Sequence, residues 1–224
     1  MSLHNILLTG LWPPTNEMLR AFDSRNIAEW QGENWHDCGF DIHARFPEFP
    51  EGSLPVGVGD LQVDYQAVST DWWRIVEEVR PCALVTFSRG FPGYSWEVET
   101  QQRNLSVWRD DYIAPVQPTP APPDDSLPPE TVRYSSLPKA EIVQRVNAAN
   151  LGIEAYIDDV DFVGAFVSEY IAYHGVWYQS LHANPEDDLY CHAAGHIHVG
   201  VDVPVTQAII ATEITLAALI DHLN

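Results

Sequence analysis

Residues 68–87, VSTDWWRIVEEVRPCALVTF, decide the fold class of this 224-residue chain. Their first half carries apolar side chains at the spacing of one helix face: Val68, Trp72, Ile75, Val76 and Val79. Pro81 ends that helix, and the short apolar run at 83–87 is typical of a buried strand. A similar run at 6–10 precedes the helix. The order strand, helix, strand predicts a parallel sheet with crossover helices.

The rest of the chain continues this alternation. We predict further helices near residues 16–30, 139–150, 168–181 and 207–223, and strands at 153–157 and 197–201. The stretch 35–50 is irregular, and Pro47 and Pro50 exclude a helix from its end. The sequence therefore predicts an α/β protein of three layers, α/β/α, with a mixed, mostly parallel sheet and ligands at the carboxyl ends of its strands.

A proline-rich segment interrupts the pattern at residues 113–130, IAPVQPTPAPPDDSLPPE. Its seven prolines favour extended polyproline conformation and exclude a helix. Neither the part of the chain before this segment nor the part after it shows a complete alternation of strands and helices. We therefore expect a surface excursion within a single domain that spans residues 1–224.

The charge and composition of the chain limit the molecules it can bind and the compartment in which we expect it. The formal net charge is −21, and Lys139 is the single lysine, so the chain repels nucleic acid and anionic lipid. The three cysteines are odd in number and form no CxxC pair, which is typical of free thiols in a reducing compartment. Residues 1–5 lack a signal-peptide pattern, and apolar runs fall far short of the roughly 20 residues of a membrane span. We expect a cytoplasmic protein.

The local sequence around several residues indicates that they could take part in catalysis. Ser168 stands at a predicted helix start, where it is either an N-cap or a nucleophile beside backbone N–H groups that could hold an oxyanion. His196 and His198 flank one residue of a predicted strand and so share a face. Glu97 and Glu99 share a face in the same way, and a carboxylate there could orient a histidine.

These residues, in chain order, resemble pyroglutamyl peptidase I, the cysteine peptidases that remove N-terminal pyroglutamate. Residues 99–104, ETQQRN, match that family's Glu-x-x-x-x-Asn signature. Residues 164–169, GAFVSE, resemble its Gly-Thr-Tyr-Val-Cys-Asn, and 196–199, HIHV, resemble its Phe-Ile-His-Val. The resemblance implies a site of four residues: Ser168 at the nucleophile, His198 at the catalytic histidine, Glu99 at the catalytic acid and Arg109 at the arginine that assists the oxyanion.

The resemblance also implies the pyrrolidone-carboxylate-peptidase-like fold, a small peptide or amide substrate, no cofactor, and a homo-oligomer, since the family often assembles. The chain departs from the family where serine replaces cysteine at 168; a shifted alignment would put Ala172 there instead. Trp12 replaces part of the loop that holds the pyroglutamyl ring, and Arg89 replaces a glutamine near the lactam. We expect both to bind substrate, with Arg89 favouring an anionic group.

Three functional hypotheses follow. In the first, the protein is a hydrolase in which Ser168 attacks a small amide, His198 transfers the proton and Glu99 orients His198. In the second, it is an inactive relative that binds a ligand or partner, because a site tuned for sulfur loses most of its activity with serine. A third interpretation makes the run from Cys191 to His198 a metal site, with four ligands: Cys191, His192, His196 and His198.

Overall fold

The computed structural model describes residues 4–159 and 164–224. Its strands are β1 His4–Thr9, β2 Phe40–Arg45, β3 Ala83–Arg89, β4 Ser95–Glu99, β5 Gln101–Arg103, β6 Val132–Tyr134, β7 Glu154–Asp158 and β8 Ala193–Val199. Its α-helices are α1 Thr15–Leu19, α2 Tyr65–Val79, α3 Lys139–Ala148, α4 Val167–Leu181 and α5 Val205–Leu223. Single 3₁₀ turns cover Arg20–Phe22 and Trp35–Asp37.

Six of the described strands form one sheet in the order β2-β1-β3-β8-β4-β7. Neighbouring strands are parallel throughout, except where β4 runs antiparallel to β8. β5 and β6 form a separate antiparallel ribbon. The predicted α/β fold with a mixed, mostly parallel sheet is confirmed.

Helices cover both faces of the sheet, and each face has its own apolar cluster. One cluster joins the sheet to α1, α3 and α5 through side chains such as Met18, Ile142 and Leu219. The other joins it to α2 and α4 through side chains such as Trp72 and Ile171. Within β8, Ile197 belongs to the first cluster and Ala194 to the second. Because side chains alternate along a strand, His196 and His198 face α2 and α4.

Two predictions about the N-terminal third were wrong. The helix expected at 16–30 ends by Phe22, because the next residues form a polar turn in which Asp23 accepts a hydrogen bond from the backbone N–H of Arg25 (3.1 Å). The stretch taken as irregular contains β2, an edge strand whose residues Phe40, Ile42 and Ala44 alternate inward.

The proline-rich excursion is a loop closed by the ribbon of β5 and β6. Residues 104–131, all within the described part, contain no helix or strand. The buried Asn104 holds the loop through the backbone of Asp124, with hydrogen bonds of 2.7 and 3.2 Å. Asp124 in turn accepts hydrogen bonds from Arg133 (2.7 Å) and from the hydroxyl of Tyr173 on α4 (3.1 Å).

Over the described ranges, none of the helices is both long enough and apolar enough to cross a membrane.

The first turn of α2 offers a test of the fold. The Asp64 side chain accepts a hydrogen bond from the backbone N–H of Ala67 (2.9 Å). We expect Asp64→Ala to lower the free energy of unfolding by about 1 kcal/mol in urea denaturation, because one helix donor then loses its partner. Asp64→Asn retains an acceptor and should stay close to wild type. Equal losses in the two variants would show that the cap is not the cause.

Candidate active site

A cavity of about 700 Å³ lies where β3 and β8 end and α4 begins. Its lining includes five of the six site residues predicted from the sequence: Trp12, Arg89, Glu99, Ser168 and His198. This position agrees with the expectation that ligands bind at the carboxyl ends of parallel strands.

Glu99 and His198 form a buried pair at the bottom of this cavity. The Nδ1 atom of His198 lies 2.6 Å from Oε1 of Glu99. Burial alone would lower the pKa of His198, but the Glu99 carboxylate outweighs burial and raises that pKa to about 9. Burial would likewise raise the pKa of Glu99, and the charge of His198 instead lowers it to about 2. At neutral pH the pair is therefore a carboxylate and an imidazolium.

Neighbouring side chains fix the pair. Gln102 donates a hydrogen bond from Nε2 to the second oxygen of Glu99. The ring of His196 lies edge-on to that of His198, with centroids 4.5 Å apart. Nδ1 of His196 is 2.7 Å from the hydroxyl of Thr86, and burial lowers the pKa of His196 to about 3. His196 is thus a neutral packing partner of a charged His198.

The metal interpretation made from the sequence was wrong in its ligand set. Among the described residues, the group that could hold a metal ion is Glu99, His196 and His198, whose ligand atoms lie within 4.8 Å of one another. Cys191 and His192 precede β8 and lie near its amino end, whereas His198 is close to its carboxyl end. Six residues of extended chain separate His192 from His198 by about 20 Å, so the two cannot share an ion.

Ser168 is the second residue of α4 and is half-buried in the cavity wall. Its hydroxyl donates to Oε2 of Glu169 (2.8 Å). Glu169 also accepts hydrogen bonds from the backbone N–H groups of Phe166 (2.8 Å) and Gly164 (3.2 Å). Ala172, the alternative at the nucleophile position, is fully buried in the core.

Arg109 is placed differently from the other predicted residues. It is exposed, and it is not part of the described cavity lining. Its guanidinium lies over the ring of Phe166, 5.7 Å from the centroid. Its backbone N–H donates to the carbonyl of Ala165 (2.8 Å), and its carbonyl accepts from the Tyr65 hydroxyl (2.8 Å). Arg109 therefore braces the start of α4 from outside the cavity.

Trp12 and Arg89 form the rim of the cavity. The Arg89 guanidinium lies 5.1 Å from the centre of the Trp12 ring, which stacks on Phe49 at 5.1 Å. Arg89 is exposed, so its charge faces the entrance.

Solved structures of other proteins share this arrangement of strands and helices. Pyrrolidone carboxyl peptidase from Thermococcus litoralis superposes with a TM-score of 0.73 at 18% identity, over 99% of this chain and 95% of that one. The enzyme from Pyrococcus furiosus superposes with a TM-score of 0.69 at 16% identity, over 98% of this chain and all of that one. The fold is that of the pyrrolidone carboxyl peptidases. No family model and no curated protein sequence matches the chain.

Ser88, Gln102 and Glu169 are among the polar residues of the site that the sequence patterns did not predict. Ser88 is the penultimate residue of β3 and lies opposite His198 in the parallel register, so the end of the strand was its signal. Glu169 could have been found as an acidic residue in a first helical turn, where carboxylates accept from free N–H groups. Gln102 had no signal beyond its closeness to Glu99 in sequence.

The Glu99–His198 pair predicts an unusual titration. In NMR spectra of the folded protein, the His198 ring should titrate with a midpoint near 9. In Glu99→Gln the stabilising charge is gone and burial remains, so the midpoint should fall below the ordinary value of about 6.5. The signal is assigned by its loss in His198→Gln. An unchanged midpoint in Glu99→Gln would contradict the pairing.

Proposed function

We propose that the protein hydrolyses a small N-terminal pyroglutamyl or related amide, with Ser168 as nucleophile, His198 as general base and Glu99 as the group that orients His198. The observation that carries this proposal is the 2.6 Å hydrogen bond between Glu99 and His198 in a cavity that Ser168 also lines. Solved proteins of the same fold are pyrrolidone carboxyl peptidases, which supports a peptidase-like hydrolase.

In this mechanism the Ser168 oxygen bonds to the amide carbonyl carbon while its proton passes to Nε2 of His198, since Nδ1 is occupied by Glu99. The amine leaves with that proton when the carbon–nitrogen bond breaks. Water then attacks the ester on Ser168, giving the carboxylic acid and restoring the serine. The first backbone N–H groups of α4 have no carbonyl partner within the helix and steady the oxyanion. Arg109 would assist them only after its guanidinium moves from the Phe166 ring into the cavity.

Two steps must precede attack. The Ser168 hydroxyl has to leave the Glu169 carboxylate and reach His198. His198 also has to lose a proton, because an imidazolium cannot accept another.

The second candidate function is a ligand-binding relative without turnover. The contact between Ser168 and Glu169 favours it, since the hydroxyl in this structure donates to a carboxylate. The raised pKa of His198, about 9, favours it as well, because the base is protonated at neutral pH.

Substitution of Ser168 separates the two functions. With a fluorogenic L-pyroglutamyl amide as substrate, we expect Ser168→Ala to reduce kcat/KM by about a thousandfold or more, because the nucleophile is lost. The matched control Ser106→Ala changes an exposed serine that is not among the lining residues and should keep full activity. Full turnover by Ser168→Ala would exclude the proposed mechanism. An inactive natural protein with an active Ser168→Cys variant would favour the binding relative.

The pH dependence of hydrolysis is a further test. The active form needs a neutral His198, whose pKa in the folded protein is about 9. With the lactam substrate, which does not itself titrate, kcat/KM should rise about tenfold per pH unit up to that value and then level off. A plateau already reached at pH 7, together with an NMR midpoint near 9 for His198, would mean that His198 is not the base.

A further inference from the structure

The cavity lining is strongly acidic. Among the described residues that line it, six are carboxylates: Glu97, Glu99, Asp110, Asp111, Asp158 and Glu169. The lining cations are Arg89 and His198. His198 is paired with Glu99, and Arg89 lies on Trp12 at the rim. The buried carboxylates of Glu97 and Glu169 therefore leave negative charge in the interior, whereas Asp110 is exposed.

Neutral groups donate hydrogen bonds to three of these carboxylates. Glu97 accepts from the hydroxyl of Ser95 (2.6 Å), and Asp111 accepts from the backbone N–H of Tyr65 (3.0 Å). Glu169 accepts from the Ser168 hydroxyl and from backbone N–H groups. Such donors stabilise a carboxylate without cancelling its charge, so a cationic ligand would be attracted into the cavity.

The same contacts make the cavity unsuitable for an anion. The N-terminus of a helix ordinarily attracts negative charge. Beside the first turn of α4 the Glu169 carboxylate binds the N–H groups of Gly164 and Phe166, which precede the helix, and its charge repels a ligand anion there. An anionic group of a ligand would therefore be held at the rim by Arg89 and not inside.

Ser88 independently indicates a polar ligand. Its side chain lines the cavity, is 1% exposed, and its oxygen has no hydrogen-bond partner among the described residues. A buried hydroxyl without a partner is unfavourable, and a ligand N–H that donates to it would remove that cost. Ser88 lies opposite His198 in the register of β3 and β8, so it is placed beside the proposed base.

The mouth of the cavity carries exposed aromatic side chains besides Arg89. Phe91, Tyr112 and Phe166 line it, and each is at least half exposed. A ligand that fits both regions has a charged head and an apolar or aromatic body.

We infer that the substrate enters with a protonated amine, held by the interior carboxylates and Ser88, and not with the neutral lactam of a pyroglutamyl group. The substrate class is thus a small amide that carries a free amine on one side of the amide bond and an apolar group on the other side. This inference rests on the proposed function for the reaction, but it concerns recognition, which can be measured without turnover.

The test uses two naphthylamides of the same ring size, L-prolyl and L-pyroglutamyl. They differ in that the proline ring carries a protonated amine where the pyroglutamyl ring carries a neutral lactam. Their binding is measured by calorimetry at pH 7 to the Ser168→Ala protein, in buffer with EDTA to exclude metal ions. We expect the prolyl amide to bind about tenfold more tightly or better, as a charge-assisted contact predicts.

Variants show whether the preference comes from the lining. Glu97→Gln should weaken binding of the prolyl amide and leave that of the pyroglutamyl amide nearly unchanged, so that the preference shrinks. Glu77→Gln removes the same charge from the exposed surface of α2 and should leave the preference intact. Should Glu97→Gln compromise folding, Asp111→Asn serves the same purpose.

The outcomes separate this inference from the proposed function. Equal or tighter binding of the pyroglutamyl amide, or binding of neither amide, overturns the inference whatever the natural protein hydrolyses. A prolyl preference that Glu97→Gln and Glu77→Gln reduce equally also overturns it. A prolyl preference that depends on Glu97 supports it. If the natural protein then hydrolyses neither amide, the proposed reaction fails and the recognition stands.

Discussion

The bond between Glu99 and His198 connects strands that run in opposite directions, and much of the site follows from that. In the antiparallel register of β4 and β8, Glu97 lies opposite His198. Glu99 is two residues further along β4 on the same face, so it lies diagonally across from His198. A carboxylate buried there would be unstable alone, because burial disfavours its charge. The protonated His198 offsets this cost, and Gln102 satisfies the other oxygen. The ion pair therefore joins β8 to β4, the strand that runs antiparallel to it in the described sheet.

Glu169 sets the opposite constraint at the start of α4. Its carboxylate caps the helix and accepts the Ser168 hydroxyl, which stabilises the resting site. The same negative charge lies near the place where an oxyanion would develop, and like charges repel there. A serine that is well held by its neighbour is also less available for attack. Glu169, where the resembling family has asparagine, thus couples the stability of this helix to the reactivity of its second residue.

Local patterns in the sequence predicted much of the fold but less of the site. Periodicity identified α2, α4 and α5 because each buries a long apolar face, and the short runs of β1 and β3 are buried on both sides. It failed at Asp23, where side-chain hydrogen bonds to the backbone outweighed helix propensity, and at the edge strand β2. Alternation correctly placed His196 and His198 on one face, since their rings are in contact. It could not tell which end of β8 a residue occupies, so Cys191 and His192 were grouped with histidines far from them.

The proline-rich excursion is fixed at its base and also at a point along its length. Besides the ribbon of β5 and β6, Asp124 ties it to Asn104, to Arg133 and to Tyr173 on the helix that carries Ser168. A peptide bond cleaved in the exposed stretch before Asp124 would leave each new end attached to the body through contacts of its own. The nicked chain would therefore migrate as one particle under native conditions and as two fragments in detergent, with the helix of Ser168 still supported.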